Sequence, residues 1–403
     1  MAGKNNYKHT LYSCFAAYIT SAVINNFVPL LFFTFQTVYK ITTAQLGFLV
    51  SLNFIIQMFV DWLGSKIADK FSYRKIIITA LCASALGLIS LAVLPAVMAE
   101  KLLALTISVV LYALGSGMIE VMVSPMTEAL PTKNKDTVMS LMHSFYCWGQ
   151  MLTVLSSTLF FSVFGIQKWH YLAALWAIVP ICAAISFIGA PIYTLDSSKS
   201  DELKMSKLIK SKAFLLFALL MVCSGASELG MSQWASYFAE TGLKVSKTVG
   251  DLLGPCMFAL FMGLSRVFYA KFGANLNLIK FLKYSAVLCV ISYGTATLIS
   301  NPVMGLLGCA MCGMSVGLMW PGVLSLSSSV MPGAGASLFA ILAMFGDIGC
   351  FLGPETVSVG ASFLTLNSSP IKAGLLCAIV FPAAMLVCIK FLERNINKIC
   401  EKN

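Results

Sequence analysis

The chain has 403 residues, of which 59% are hydrophobic and 11% charged, with a mean hydropathy of +0.87, whereas a soluble globular chain carries roughly 25% charged residues. This composition excludes a soluble enzyme. At about 20 apolar residues per bilayer-spanning helix it leaves room for roughly twelve spans and no extramembrane domain of useful size. The net charge of +11 would point to nucleic acid only if the basic residues formed a patch on a folded surface, so their positions decide its meaning.

Apolar runs of helical length succeed one another along the chain and predict an all-α membrane protein of twelve transmembrane helices. The first six spans are read at Thr10–Val38, Ala44–Leu63, Arg74–Val97, Leu102–Glu128, Thr137–Phe164 and His170–Thr194. The next six are read at Ala213–Ala239, Thr248–Lys271, Leu278–Ile299, Pro302–Val330, Gly335–Ala361 and Ile371–Phe391. The leading MAGKNNYKH is polar and the first run is too long for a signal h-region, so no cleavable signal peptide is expected. Residues 196–212 sit in the most charge-dense stretch. They read as a cytoplasmic linker between an N-terminal six-helix bundle, 1–195, and a C-terminal one, 213–403, lying on the membrane surface with Leu203, Leu208 and Ile209 toward lipid.

When loops are assigned alternately to the two sides, Lys40, Lys101, Lys168, Lys244, Lys247 and Lys372 fall opposite the N-terminus. The other 21 of the 27 basic residues fall on its own side. Positive-inside asymmetry then predicts cytoplasmic termini and an even number of spans, and the basic excess becomes a record of topology and anionic lipid. The halves also carry a faint parallel repeat: Asp69–Ser72 is echoed by Ala270–Gly273, Gly117 by Gly317 and Gly149 by Gly349, at offsets of 200 or 201. Parallel six-helix halves with solute bound between them near the midplane describe a secondary transporter. Thirteen cysteines stand singly in apolar runs, as small membrane-buried side chains do, with no disulfide framework.

The connection after the second span reads SKIADKFSYRK, Ser65–Lys75, and resembles the cytoplasmic loop signature of the major facilitator superfamily. Asp69, Lys70, Arg74 and Lys75 take the charged roles, while Ser65 and Ser72 stand where glycines are commonest. The resemblance implies a twelve-helix transporter whose loop charges latch the halves in the outward-facing state; an ordinary positive-inside loop is the plainer alternative.

Charges inside the bilayer are costly and are functional hypotheses by default. Glu120 in the fourth span, Glu228 in the seventh and Asp347 in the eleventh are the proton-coupling candidates, each with the alternative of orienting helices. Glu120 is preferred, because a carboxyl taken out of water holds its proton to higher pH. Arg266 is the one guanidinium at any depth, and a structural pair with Asp347 is expected. Asp61, Glu128, Glu240 and Asp251 fall at span ends, where solvation or capping is expected. His143 could relay a proton to Glu120 or donate to a substrate hydroxyl; a packing role is the alternative. No zinc-binding HExxH string, GxSxG elbow, phosphate-cradling loop or ligand-spaced Cys/His cluster is present, so neither enzymatic activity nor a cofactor is expected.

Around Glu120 the string EVMVSP, with LMHSFYCWG following at Leu141–Gly149, resembles the fourth and fifth spans of the fucose permease family of proton-linked sugar transporters. The string WPGVLSL at Trp320–Leu326, KFSYR at Lys70–Arg74 and the Asn25–Asn26 pair extend that resemblance. It implies proton-coupled monosaccharide uptake, with Asn25, Asn26, His143, Phe145, Trp148, Trp234, Tyr237 and Trp320 as substrate-binding candidates, the aromatics by stacking. One departure matters: Val28 and Pro29 occupy the neighbourhood where that family has a proton-coupling Asp. Coupling then rests on Glu120, helped by Glu228 or Asp347, or the solute differs. The expectation is a monomeric, multi-pass protein of a bacterial-type plasma membrane whose partners are a small solute, protons and lipid, with no nucleic acid. An exporter of amphipathic compounds is the alternative within transport; a polytopic enzyme or sensor is the remote one.

Overall fold

The computed structural model describes residues 7–67, 72–132, 135–193, 211–272, 277–331, 335–366 and 369–400. Much of the expected linker, and Asp69 and Lys70 of the loop motif, lie outside these residues, as do the side chains of Ser65 and its neighbours. The chain divides into two compact units, Met1–Asp196 and Ser197–Asn403. In the first, the helices are α1 (Tyr7–Tyr39), α2 (Thr43–Ile67), α3 (Tyr73–Val97), α4 (Lys101–Glu128), α5 (Lys135–Phe164) and α6 (Ile166–Gly189). In the second they are α7 (Lys212–Ser232), α8 (Lys247–Tyr269), α9 (Leu278–Leu298), α10 (Pro302–Val330), α11 (Gly335–Phe363) and α12 (Pro370–Arg394). Among the described residues eleven helices are long and apolar enough to cross a membrane; α11, at 29 residues, has a length of about 43 Å and spans as well. Among the described residues there is no strand, and an isolated bridge joins Leu366 and Ser369.

Apolar residues face outward in stripes that only lipid would cover. On α3, Leu86, Ile89, Val93 and Val97 are exposed while Leu81, Leu88 and Leu91 are buried; on α6, Ile178, Ile181, Ile185 and Ile188 are exposed while Ala177, Ala184 and Phe187 are buried. Helix starts are fixed locally by polar caps: the Asn301 carboxamide accepts from Val303 N at 2.8 Å with Pro302 in the first turn, and Asn277 accepts from Lys280 N at 3.1 Å. At the end of α3 the Lys101 ammonium donates to Pro95 O and Met98 O at 2.9 and 2.8 Å, which satisfies carbonyls the helix leaves open.

Prolines place the breaks. Each removes an N–H and crowds the carbonyl four residues back, so Pro180 points to Trp176 and Pro382 to Ala378. The sixth span indeed pauses at Ala177, between Trp169–Trp176 and Ile178–Gly189, and the twelfth at Ile379, between Pro370–Ala378 and Val380–Cys400. Pro321 likewise interrupts α10 after Val316, and Pro29 turns α1 into a short 3-10 segment, Val28–Leu31, immediately after the Asn pair.

The sequence repeat has a packing meaning. α1 packs on α5 and α2 on α4 in the first unit, as α7 packs on α11 and α8 on α10 in the second. Gly149 of α5 lies against Ile19 and Ala22 of α1; its counterpart Gly349 of α11 lies against Val222 and Ala226 of α7. Gly117 of α4 meets Gln57 and Val60 of α2, and Gly317 of α10 meets Met262 and Ser265 of α8. Small residues allow the close backbone approach that holds membrane helices together without a hydrophobic driving force between them.

Candidate functional site

In the first unit, α1, α2 and α5 converge on a group of side-chain amides. Asn53 and Gln57 are one turn apart on α2 and so share a face; Asn53 Nδ2 and Gln57 Nε2 both donate to Asn25 Oδ1, at 3.0 and 2.9 Å. The two donors fix the orientation of the Asn25 amide, which turns its own Nδ2 toward the Tyr146 hydroxyl of α5 at 3.4 Å. Asn26 Nδ2 reaches the same hydroxyl at 3.5 Å and bonds Ala22 O at 2.9 Å. All four carboxamides are 4–5% exposed. Polar groups buried to this degree are expensive unless they bond one another, so the cluster is a built feature and not incidental polarity. Gly149 lets α5 come close enough to α1 for Tyr146 to take part.

One to two turns nearer the N-terminus on α1, the Tyr18 hydroxyl lies 3.3 Å from His143 Nδ1 and 3.5 Å from Ser124 Oγ, and the Tyr18 and His143 rings meet edge to face at 5.4 Å. Ser124 follows Glu120 by one turn on α4, so Glu120, half-buried, stands on the same face as this triad. Phe145 stacks on Phe15 of α1 with centroids 4.0 Å apart, and Trp148 is half-buried on α5. Of the loop motif, Arg74 Nη2 donates to Ala190 O at 2.7 Å and ties the start of α3 to the end of α6; Lys75 is exposed.

In the second unit Glu228 of α7 makes a contact to the next helix. Where α1 has an amide joined to α2, α7 has a carboxylate whose Oε2 lies 3.5 Å from Arg266 Nη2 on α8. Sequence reasoning sets Arg266 against Asp347; Arg266 also has Glu228 within reach, and Asp347 is half-buried on α11. The Trp320 six-membered ring lies directly over Gly346, the residue before Asp347, where any Cβ would collide with it. Trp234 is fully buried and its indole N–H donates to Pro354 O of α11 at 3.1 Å, with Tyr237 packed edge-on against it at 5.6 Å.

Asn53, Gln57, Tyr146 and Tyr18 escape the sequence reading. The signal for the first two is an i, i+4 pair of amides inside an otherwise apolar run; for the tyrosines no local signal separates them from lipid-facing or packing aromatics. The twelve cysteines from Cys14 to Cys388 are free thiols.

Comparison with known proteins follows from this architecture. The model of the Major Facilitator Superfamily matches residues 11–354. Among curated proteins no sequence matches. Among solved structures, a bacterial homolog of the human lysosomal transporter Spinster shares the fold with a TM-score of 0.79 at 12% identity, over 98% of this chain and 99% of that one. The D-xylose-proton symporter has a TM-score of 0.79 at 13% identity over 96% and 97%. The E. coli fucose:proton symporter has 0.66 at 16% identity over 96% and 99%. Identities this low establish fold alone. With twelve helices in two repeated six-helix units and a family match across most of its length, the chain belongs to the Major Facilitator Superfamily of membrane transporters.

Proposed function

We propose that the protein takes up a small neutral polar solute, a monosaccharide by class, together with protons. It would act by alternating access as a monomer in a bacterial-type plasma membrane, with both termini cytoplasmic. One observation carries the reading: the buried amide group of Asn25, Asn26, Asn53 and Gln57 with the Tyr146 hydroxyl. Carboxamides offer donors and acceptors side by side without charge, which matches a solute whose hydroxyls do the same and gives no counter-charge to an ionic one. Similarity of fold to symporters named for fucose and xylose supports the same class. Phe145, Trp148, Trp234, Tyr237 and Trp320 are the aromatics assigned to stacking on such a solute.

Coupling is assigned to Glu120, with Glu228 and Asp347 as further candidates. Protonation of Glu120 removes a charge from the membrane interior, favours solute binding and permits the halves to rock; release to the cytoplasm returns the proton. The Tyr18–His143–Ser124 group offers a hydrogen-bonded route to that face. Ser65, Asp69, Lys70, Arg74 and Lys75 serve as the conformational latch, and Arg266 as the partner of Glu228, with Asp347 a competing carboxylate.

The test is a thermal-stabilisation panel on purified protein, comparing pentoses and hexoses with amphipathic cations. Stabilisation by a monosaccharide that disappears in Gln57→Ala supports the reading. Stabilisation by amphipathic cations alone replaces it with export.

A further inference from the structure

The connection between α7 and α8 holds a second group of titratable side chains, one the proposed solute site does not use. After α7 the chain forms a short helix, Ala235–Tyr237, and a π turn, Phe238–Gly242; α8 opens at Lys247 and has its own π turn at Leu252–Cys256. π turns are rare interruptions of a helix, and they gather at functional sites. The second contains Pro255, which has no N–H to offer the Asp251 carbonyl.

Four side chains bridge the two turns. The Lys247 ammonium donates to Ser236 Oγ at 2.7 Å, to Asp251 Oδ1 at 3.0 Å and to Glu240 Oε1 at 3.1 Å, and the Ser236 hydroxyl donates to the same Asp251 oxygen at 2.6 Å. Three acceptors use all three ammonium hydrogens. The group is not at a solvated span end: the Asp251 side chain is 0% exposed, Glu240 11% and Lys247 18%. Packed against these turns, the first turn of α12 brings Lys372, which is buried, and Ile371, which lies on Gly242; Lys244 of the connection is exposed, and Cys256 and Tyr237 complete the titratable neighbours.

Two carboxylates bonded to one ammonium leave the group negatively charged in a place largely closed to water, where an extra charge is penalised and a proton would remove it. Asp251 has both Lys247 and Ser236 on one oxygen, so Glu240 is the carboxylate that gives way. Burial pushes its carboxyl above the usual range, against the pull of Lys247 and the Ser236 hydroxyl and with Asp251 adding to the rise. Glu240 stands in the connection, outside both spans, on the side assigned opposite the N-terminus.

We propose that Ser236, Glu240, Lys247 and Asp251 form a proton-binding site whose occupancy holds the joint between α7 and α8 closed. The sign follows from linkage. In a closed joint Glu240 is buried and keeps its proton to higher pH; in an opened joint it is hydrated and titrates near the ordinary value of 4.5. The closed state therefore binds the proton more tightly, so lowering the pH toward the ordinary value strengthens closure and raising it weakens closure. That sign holds whatever the solute is and whether or not Glu120 is the coupling residue.

Hydrogen exchange of the full chain in lipid nanodiscs, at about pH 5.5 and about pH 8 with intrinsic rates corrected, tests this on peptides covering 235–256. The expected result is several-fold slower exchange at the lower pH in the wild type, and slow exchange at both pH values in Glu240→Gln, which carries the neutral form permanently. Equal protection at both pH values, slower exchange at the higher one, or a Glu240→Gln variant that keeps the wild-type pH dependence overturns the proposal. The wild-type comparison stands even where the variant folds poorly, which loss of protection across α9 and α10 would reveal.

Discussion

Replacing Asn25 by Ala tests whether the amide group is a structural and binding unit or a coincidence of polar residues. The substitution removes the one acceptor that serves both Asn53 Nδ2 and Gln57 Nε2, at 3.0 and 2.9 Å, and leaves two buried donors to find others. In water-soluble cores each such loss costs about 1–3 kcal/mol. Interhelical hydrogen bonds in membranes average nearer 0.6 kcal/mol, because the unfolded chain in lipid also finds partners. For two donors these bracket the loss at about 1–6 kcal/mol. Asn26→Ala is the internal control: it gives up a bond to the Ala22 carbonyl within its own helix and a long 3.5 Å contact to Tyr146, for an expected loss under about 0.5 kcal/mol. Equilibrium unfolding in mixed micelles reads both. Equal losses for the two variants would refute the assignment of Asn25 as the hub.

Other perturbations follow from the packing. A Cβ at Gly349 would collide with the Val222 carbonyl and approach Ala226 N to 2.8 Å, whereas nothing lies within 4 Å of one at Gly294; Gly349→Ala should destabilise by about 1–3 kcal/mol and Gly294→Ala stabilise by about 0.5–1 kcal/mol, read as opposite shifts in melting temperature. Gly346→Ala must move the Trp320 indole, and should lower monosaccharide affinity several-fold in the stabilisation panel while changing thermal stability less; unchanged affinity removes Trp320 from the site. Glu228→Gln and Arg266→Met should each destabilise, and the double variant should be more stable than their sum by about 1–3 kcal/mol, because neutralising one partner leaves the other charge buried. Additivity in that cycle would show that the 3.5 Å pair is not energetically coupled.

The spans and their number were legible because hydropathy and length act over twenty residues at a time, and the glycine repeat because close helix contact demands the same small residue at the same level in each unit. The breaks at Ala177 and Ile379 were open to reading too: Pro180 and Pro382 act on the carbonyls four residues back. Contacts between helices were harder. That Glu228 lies within reach of Arg266 depends on which faces of α7 and α8 oppose one another, and a single helix pattern does not state that. Asp251 looked like a solvated span end because its neighbours in sequence are polar; its burial comes from Ser236 and Lys247 folding over it. Trp234 looked available for stacking, yet its burial and its bond to Pro354 O are tertiary facts. Asn53 and Gln57 acquire meaning only when Asn25 of another helix arrives between them.

The central claim, proton-coupled uptake of a neutral hydroxylated solute through the Asn25–Gln57 group and Glu120, is tested most directly in proteoliposomes. A radiolabelled monosaccharide chosen from the binding panel is offered under an imposed inward proton gradient. Wild-type protein should accumulate it above equilibrium and lose accumulation when the gradient is collapsed, whereas Glu120→Gln should exchange the sugar without accumulating it. Gradient-driven accumulation that survives intact in Glu120→Gln, or no accumulation by the wild type of any monosaccharide that stabilises it, would contradict the account.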